Sequence, residues 1–345
     1  MLIGPSTAKA LTIKWLSVMA LTVLLACSTT GDGRQTEITT DPLPSWNAGQ
    51  AKREILEFVA RVTDPASPDF VPEAARVATF DNDGTLWSEN PLYFQLLFAL
   101  DRVRSMAADH PEWLKTQPFR AILEEDREAL GKMGHSELGQ ILAATHAGMT
   151  SEEFAVIARD WLDTARHPRF GQPFDRCIYQ PMIEVLNYLR ANGFTTFIVS
   201  VGGIAFMRTF SQEAYGILPN QVVGSSSETE FRMAGKRAFL MRLPKPHFIN
   251  DKEGKPVAIN RHIGRRPIAA FGNSDGDLQM LQYTAGGDGA RLMVLVRHDD
   301  PDREYAYDRE SKIGRLDKAL DEAEARGWTV VSMRKDWRRI FPWEK

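Results

Sequence analysis

Short apolar runs alternate with helix-length amphipathic segments along most of this chain. Over residues 48–63, Ile55, Leu56, Val59 and Val62 share one stripe, which predicts an amphipathic helix ended by Asp64-Pro65. Val77 to Phe80 are β-branched, aromatic or small, the composition of a buried strand. From Leu92 to about Phe174 the pattern is helical: Tyr93, Leu96, Leu97, Leu100 and Val103 recur at helical spacing. Thr150-Ser151-Glu152-Glu153 opens a further helix carrying Phe154, Ile157 and Trp161. This segment has no strand alternation and reads as a helical insert after the first strand.

Beyond it, strands and helices alternate. A helix is expected over 181–192, stopped by Asn192-Gly193, then a strand over 194–199 and a helix over 204–215. Val222-Val223 starts a short strand, and residues 230–240 form a hairpin turning at Ala234-Gly235. A short helix over 256–263, a strand over 267–271, a helix over 278–283 and a strand over 292–296 follow. A charged helix over 311–326 turns Ile313, Leu316, Ala319 and Leu320 inward, and residues 328–331 close the set. This order predicts an α/β fold: a doubly wound, Rossmann-like parallel sheet with helices on both faces. The expected core covers 47–88 and 181–345, with an inserted helical cap domain over 89–180.

The N-terminus departs from this pattern. Lys9 and Lys14 precede an apolar run, Leu16 to Ala26, that is too short to span a bilayer and has the layout of an export signal. Leu24-Leu25-Ala26-Cys27 resembles a bacterial lipobox, which implies a signal peptide over 1–27 and lipidation of Cys27. Ser28 rather than aspartate follows. The resemblance then implies a lipoprotein anchored in the outer membrane, facing the periplasm, if the host is Gram-negative. Polar, turn-rich residues 28–46 are expected to be a flexible tether.

Composition adds exclusions. The 345 residues, 43% hydrophobic and 25% charged, suit a large globular body. A net charge of −3 with scattered Lys and Arg gives no basic patch for nucleic acid. Two cysteines make no disulfide framework, and Cys177 reads as a buried small apolar residue. The seven histidines show no close zinc spacing.

Candidate chemistry sits at the strand ends, where open α/β sheets build ligand sites. Asp81 and Asp83 follow the first strand two residues apart, so in extended chain their carboxylates project to the same side. Close carboxylates repel unless a cation or a shared proton intervenes, which suggests a divalent metal and a carboxylate nucleophile. Asp81-Asn82-Asp83-Gly84 is also ordinary turn chemistry. Ser200, followed by Val201, Gly202 and Gly203, offers a hydroxyl and amides suited to phosphate oxygens. Asn273, Asp275 and Asp277 offer oxygen donors suited to Mg²⁺, and Lys255 lies shortly before them. Among residues opening the insert, Trp87, Glu89, Tyr93 and Gln95 are candidates to face a substrate, although aromatic residues at helical spacing are more often core.

Together these residues resemble the four motifs of the haloacid dehalogenase superfamily, in its phosphatase branch, and the helical insert resembles the cap of phosphoserine-phosphatase-like members. Asp81-Asn82-Asp83-Gly84-Thr85 matches the first motif, Ser200 the second, Lys255 the third, and Gly272 to Asp277 the fourth. Lys236 and Lys245 rival Lys255, and asparagine stands at position 273 where the motif often has aspartate. The resemblance implies a Mg²⁺-dependent phosphatase acting on a small phosphate monoester. Asp81 would be the nucleophile forming an aspartyl-phosphate, and Asp83 the acid and base. Ser200, Gly202, Lys255 and Glu89 would bind substrate. Asp81, Asp83 through its carbonyl, Asn273 and Asp277 would hold the metal, with Asp275 able to share that role. Asp83 favours a phosphatase over a dehalogenase, since halide leaves without a proton. A phosphotransferase using the same intermediate, or a lipid-anchored binding protein with a decayed site, are the alternatives.

Overall fold

The computed structural model describes residues 41–344, so Cys27, the export signal and most of the expected tether lie outside the described residues. Eight strands form one sheet: β1 Val77–Phe80, β2 Thr195–Gly203, β3 Val222–Ala234, β4 Arg237–Phe248, β5 Ala269–Gly272, β6 Leu292–Asp299, β7 Ala306–Tyr307 and β8 Thr329–Ser332. The order is β4-β3-β2-β1-β5-β6-β7, with β8 also on β6. The pairs β1/β2, β1/β5, β2/β3, β5/β6 and β6/β8 are parallel; β3/β4 and β6/β7 are antiparallel.

Period-two alternation splits the strands between two apolar layers. Phe80, Ile198, Phe271 and Val294 pack against the helices Gln50–Thr63 and Gln180–Ala191. Val199, Val223, Ala270 and Leu295 pack against the helices Leu278–Ala285 and Lys318–Arg326. The expected doubly wound α/β sheet is therefore present. Because β1 is central and covered on both faces, all four of its residues are buried.

The insert after β1 is helical, including Phe94–Met106, His135–His146 and Ser151–Thr164. It has a small core of its own around Leu100, Val103, Trp113 and Ile122. Phe94, Phe98, Phe154 and Leu162 instead join the main core.

Four expectations need correction. The 204–215 helix is two short helices, Ile204–Met207 and Ser211–Tyr215, broken near Phe210. The strand begun at Val222 runs unbroken into the hairpin, so β3 and β4 form an arm reaching beyond the sheet. The polar run 224–229 between Val223 and the hairpin hid this continuity from hydrophobic patterning. The charged helix begins only at Lys318; Gly314, at φ +61°, turns the preceding segment to the start of the helical insert, where its N–H donates to the Tyr93 hydroxyl at 3.2 Å. Finally, residues 43–46 are not tether. Leu43, Ser45 and Trp46 are buried, with Ser45 N–H donating to Glu184 at 2.8 Å and the Trp46 indole to the Pro181 carbonyl at 3.0 Å.

Phe80 and Phe271 stack face to face, centroids 4.3 Å apart, on neighbouring strands. Phe271→Ala is expected to cost about 3–5 kcal/mol, from lost burial plus the cavity left behind. Urea unfolding of the variant measures it; a loss below ~1 kcal/mol would show that this layer repacks.

Candidate active site

The β1 strand delivers Asp81, whose N–H donates to the Phe271 carbonyl at 2.9 Å. A tight loop follows: the Asn82 carbonyl accepts the N–H groups of Thr85, Leu86 and Trp87, and the Tyr215 hydroxyl donates to the Asn82 side chain at 3.0 Å. Gly84 turns this loop at φ +73°, and a side chain there would collide with Asn273 and Glu89. Its carbonyl faces His298 Nε2 at 2.8 Å, while His298 Nδ1 lies 3.3 Å from the Glu304 carboxylate.

Lys255 sits on the short helix Gly254–Ala258 and is almost wholly buried. Its ammonium donates to Asp81 Oδ1 at 2.8 Å and to Asp277 Oδ1 at 2.5 Å. The rivals fall away: Lys236 is exposed at the hairpin turn, and Lys245 is exposed and pairs with Glu228 at 2.7 Å.

Asp277 differs from its expected role. Its Oδ1 is taken by Lys255, and its Oδ2 accepts the N–H groups of Asn273 and Ser274 and the Ser274 hydroxyl. It holds the lysine and the loop rather than presenting a free oxygen to a metal. Asp275 is also engaged elsewhere, accepting the N–H groups of Asp317 and Ala319 at the start of the following helix.

Ser200 is buried at the β2 end, where the β2/β3 register shifts between Val199 and Gly203. That irregularity lifts Ser200 to Gly202 out of the ladder. A carbon added at Gly202 would lie 3.5 Å from Ser200 Oγ and 3.7 Å from Asp83 Oδ2, which places these groups side by side. Of the amides expected to be open to phosphate, Gly202 donates to Ser200 Oγ at 3.1 Å and Gly203 to Gln95 Oε1 at 2.6 Å.

Glu89 lies at the same centre. Its Oε1 accepts the Asn273 amide at 2.7 Å and the Tyr307 hydroxyl at 2.8 Å. The Trp87 indole donates to Asp83 Oδ1 at 2.7 Å, so this buried aromatic orients a site carboxylate rather than facing substrate. Sequence patterning gave no signal for Trp87 in this role, nor for Tyr307, His298 or Arg242.

Four carboxylates, Asp81, Asp83, Glu89 and Asp277, are thus buried at this centre, and the one ammonium among them pairs with two, Asp81 and Asp277. Burial, then the Asp277 charge, pushes Asp81 up to about 7 even beside Lys255. Burial pushes Asp83 up to about 6 against the opposing Trp87 hydrogen bond. Burial and the Asp83 charge hold Glu89 well above the usual carboxylate range. Burial alone would lower the Lys255 ammonium, but Asp277 and Asp81 outweigh it and raise it.

This surplus of negative charge fits a divalent cation. Asp81 Oδ2 and the Asp83 main-chain carbonyl make no hydrogen bond to a described residue, and the Asn273 carbonyl oxygen meets only Thr85, at 3.1 Å. Among the described residues, no three His, Cys, Asp or Glu side chains are grouped to hold an ion. The available donors are instead one carboxylate and two carbonyl-type oxygens, a set that suits Mg²⁺ retaining several waters.

The site opens into a cavity of about 2120 Å³ between the sheet edge, the helical insert and the β3–β4 arm. Asp81, Asp83, Glu89 and Lys255 line its floor; Tyr93, Gln95, His146 and Arg242 line its walls, with His247 and His262 also bordering it.

The family profile of haloacid dehalogenase-like hydrolases matches residues 78–282. The chain belongs to this hydrolase family. No curated protein matches it in sequence. Among solved structures, a conserved functionally unknown protein from Anaerococcus prevotii DSM 20548 is similar at 15% identity and a TM-score of 0.50, covering 84% of this chain and 93% of that one. A protein of unknown function from Bordetella pertussis Tohama I is similar at 16% identity and a TM-score of 0.48, over 74% and 97%. A phosphoserine phosphohydrolase-like protein from Francisella tularensis subsp. tularensis SCHU S4 is similar at 15% identity and a TM-score of 0.37, over 73% and 99%.

The raised carboxylates make a prediction about this hydrolase without metal. An acid whose folded pKa exceeds its unfolded value binds more protons when folded, so stability falls as pH rises. For Asp81 and Asp83 that loss runs from about 4 to about 7, between the ordinary aspartate value and the folded values. In EDTA, the urea midpoint should fall across this window. Adding Mg²⁺ should raise it more at pH 8 than at pH 5. Equal increments at both pH values would argue against a cation in the carboxylate cluster.

Proposed function

We propose that this hydrolase is a Mg²⁺-dependent phosphatase acting on a small phosphate monoester through an aspartyl-phosphate. The supporting observation is the Asp81–Lys255–Asp277 contact beneath Asp83 and Ser200, at the open end of the central strand.

Asp81 is held by β1 and by Lys255, which fixes the direction of its carboxylate. Its oxygen attacks phosphorus, forming an O–P bond as the bond from phosphorus to the ester oxygen breaks. Asp83 gives its proton to the departing alkoxide, and its elevated pKa of about 6 suits a group that must hold that proton near neutrality. The Trp87 indole keeps Asp83 aimed. Asp83 then takes a proton from water, whose oxygen attacks the phosphoryl group and releases Asp81 and phosphate. Ser200 and Lys255 hold phosphoryl oxygens and balance their charge. Mg²⁺ bound by Asp81, the Asp83 carbonyl and Asn273 would supply the positive charge the acidic cluster lacks and draw phosphate oxygens to it.

The protein should release phosphate from p-nitrophenyl phosphate with Mg²⁺. Asp81→Asn should lower kcat on the order of a thousandfold or more. Asp83→Asn should cost ~100–10,000-fold on alkyl phosphates, and less on p-nitrophenyl phosphate, whose leaving group needs no proton. Phosphate release by Asp81→Asn at the unmutated rate would remove the nucleophile assignment.

We also propose that the protein is exported and anchored to a membrane by lipid on Cys27, the last residue of the lipobox-like run. No helix among the described residues is long and apolar enough to cross a membrane. Cells fed a clickable palmitate analogue should label the full chain but not Cys27→Ser. Label retained in that variant would place the lipid elsewhere or end the assignment.

A further inference from the structure

Among the described residues lining the cavity, Arg242 is a buried cation with no ionic partner. Arg242, on β4, is only 7% exposed and lines the cavity. Its Nε donates to the His146 carbonyl at 2.7 Å. Its guanidinium lies over the Phe154 ring, 4.2 Å from the centroid. No hydrogen bond or ion pair joins its terminal nitrogens to any described residue. Burial lowers its pKa, with no acidic neighbour to oppose that. A mostly buried guanidinium left without an anion is costly unless water or a ligand in the cavity meets its terminal nitrogens.

The surroundings hold this group firmly in place. The Arg242 N–H donates to the Met149 carbonyl at 2.9 Å, and the Gly148 N–H donates to the Arg242 carbonyl at 3.0 Å. The β3–β4 arm is thereby clipped to the helical insert at this residue. His146 links the position to the reaction centre. Burial, then Arg242 and Arg102, holds its ring down to about 3, so it is neutral. Its Nδ1 meets the Thr145 hydroxyl at 2.7 Å, and that hydroxyl donates to the Ile141 carbonyl, so Nδ1 carries the proton. Nε2 is then free to accept from Gln95 Nε2 at 3.3 Å. Gln95 Oε1 in turn accepts the Gly203 N–H, three residues from Ser200. Arg242 and the Ser200 loop are therefore joined along one wall of one cavity.

We propose that Arg242 binds a second oxyanion, a carboxylate or a phosphate, on the substrate whose phosphoryl group reacts at Asp81. The substrate class is then a phosphate monoester with a further acidic group. The planar fork of the guanidinium, stacked on Phe154, offers two parallel donors to such a group. This inference rests on the phosphatase reading.

The test uses pairs of probes that differ in the second anion: 3-phosphoglycerate against glycerol 3-phosphate, and fructose 1,6-bisphosphate against fructose 6-phosphate. Calorimetric titration of the full chain carrying Asp81→Asn, with Mg²⁺, reads binding without turnover. At least one doubly acidic probe should bind about tenfold or more tightly than its partner, as expected for charge-assisted hydrogen bonds. Preference within the first pair would identify a carboxylate, and within the second a phosphate. Adding Arg242→Gln should bring the ratio to within about twofold, and Arg242→Lys should leave it intermediate. Circular dichroism melting of each variant separates this from misfolding. No preference in either pair, or a preference that survives in folded Arg242→Gln, overturns the proposal. Phosphate release by the unmutated protein from all four probes without preference would retain the phosphatase and remove the subsite. A preference that depends on Arg242, with no phosphate released from any probe, would do the reverse.

Discussion

The structure depends most on one buried ammonium. Lys255 lies between Asp81, at the end of the central strand, and Asp277, which anchors the loop after β5. Without it, Asp81, Asp83, Glu89 and Asp277 would share a desolvated pocket with no positive side chain among them. Such a cluster would bind protons still more tightly than it does beside Lys255, and a protonated Asp81 would not serve as the proposed nucleophile. Lys255 also joins the short helix that carries it to two strand ends. The same contact therefore shapes the floor of the cavity and sets the charge on it. One lysine does not neutralise four acids, and this remaining imbalance makes the site a place for a cation.

Glu89 shows how closely the loops are fitted around that floor. Side chains added at Gly84 or Gly314 would both strike its carboxylate, although the two glycines are far apart in sequence. Gly314 and Tyr307 lie beyond β6, so the C-terminal part of the chain completes a centre that the first strand begins. Asn273 brings no charge of its own, but it donates to Glu89 and accepts from Thr85, placing a neutral polar group between the first loop and an additional carboxylate. The missing aspartate at 273 is thus accompanied by a buried acid 184 residues earlier in the chain.

Much of this was legible in the sequence because it is local. The strand Val77–Phe80, the acids two apart after it, and alternating strands and helices follow from short-range periodicity. The choice of Lys255 over Lys236 and Lys245 was only partly legible, since burial decides it. The separate duties of Asp277 and Asn273 were not, because an oxygen's role depends on which donors reach it. The extent of the β3–β4 arm was also hidden. The polar run 224–229 separates Val222-Val223 from the hairpin, so hydrophobic patterning had nothing to join them. Arg242 lies on that arm, and no motif marks it.

The division of labour follows from where each group is mounted. Groups proposed to act on the phosphoryl group lie at ends of the central parallel strands or on loops held by buried hydrogen bonds, where neighbouring ladders fix them. Many groups facing the rest of the cavity, Tyr93, Gln95, His146 and Arg242 among them, come from the helical insert and the hairpin arm, which share only part of the main core. Insertions of this kind can vary in length and side chain without shifting the strand ends, so the chemistry and the choice of substrate are borne by separable parts of the fold. The contact between Arg242 and the 146–149 segment joins the two insertions to each other. An anion bound by Arg242 would be held against both at once, and the pocket that selects the substrate would be most complete when the helical insert and the arm are in register.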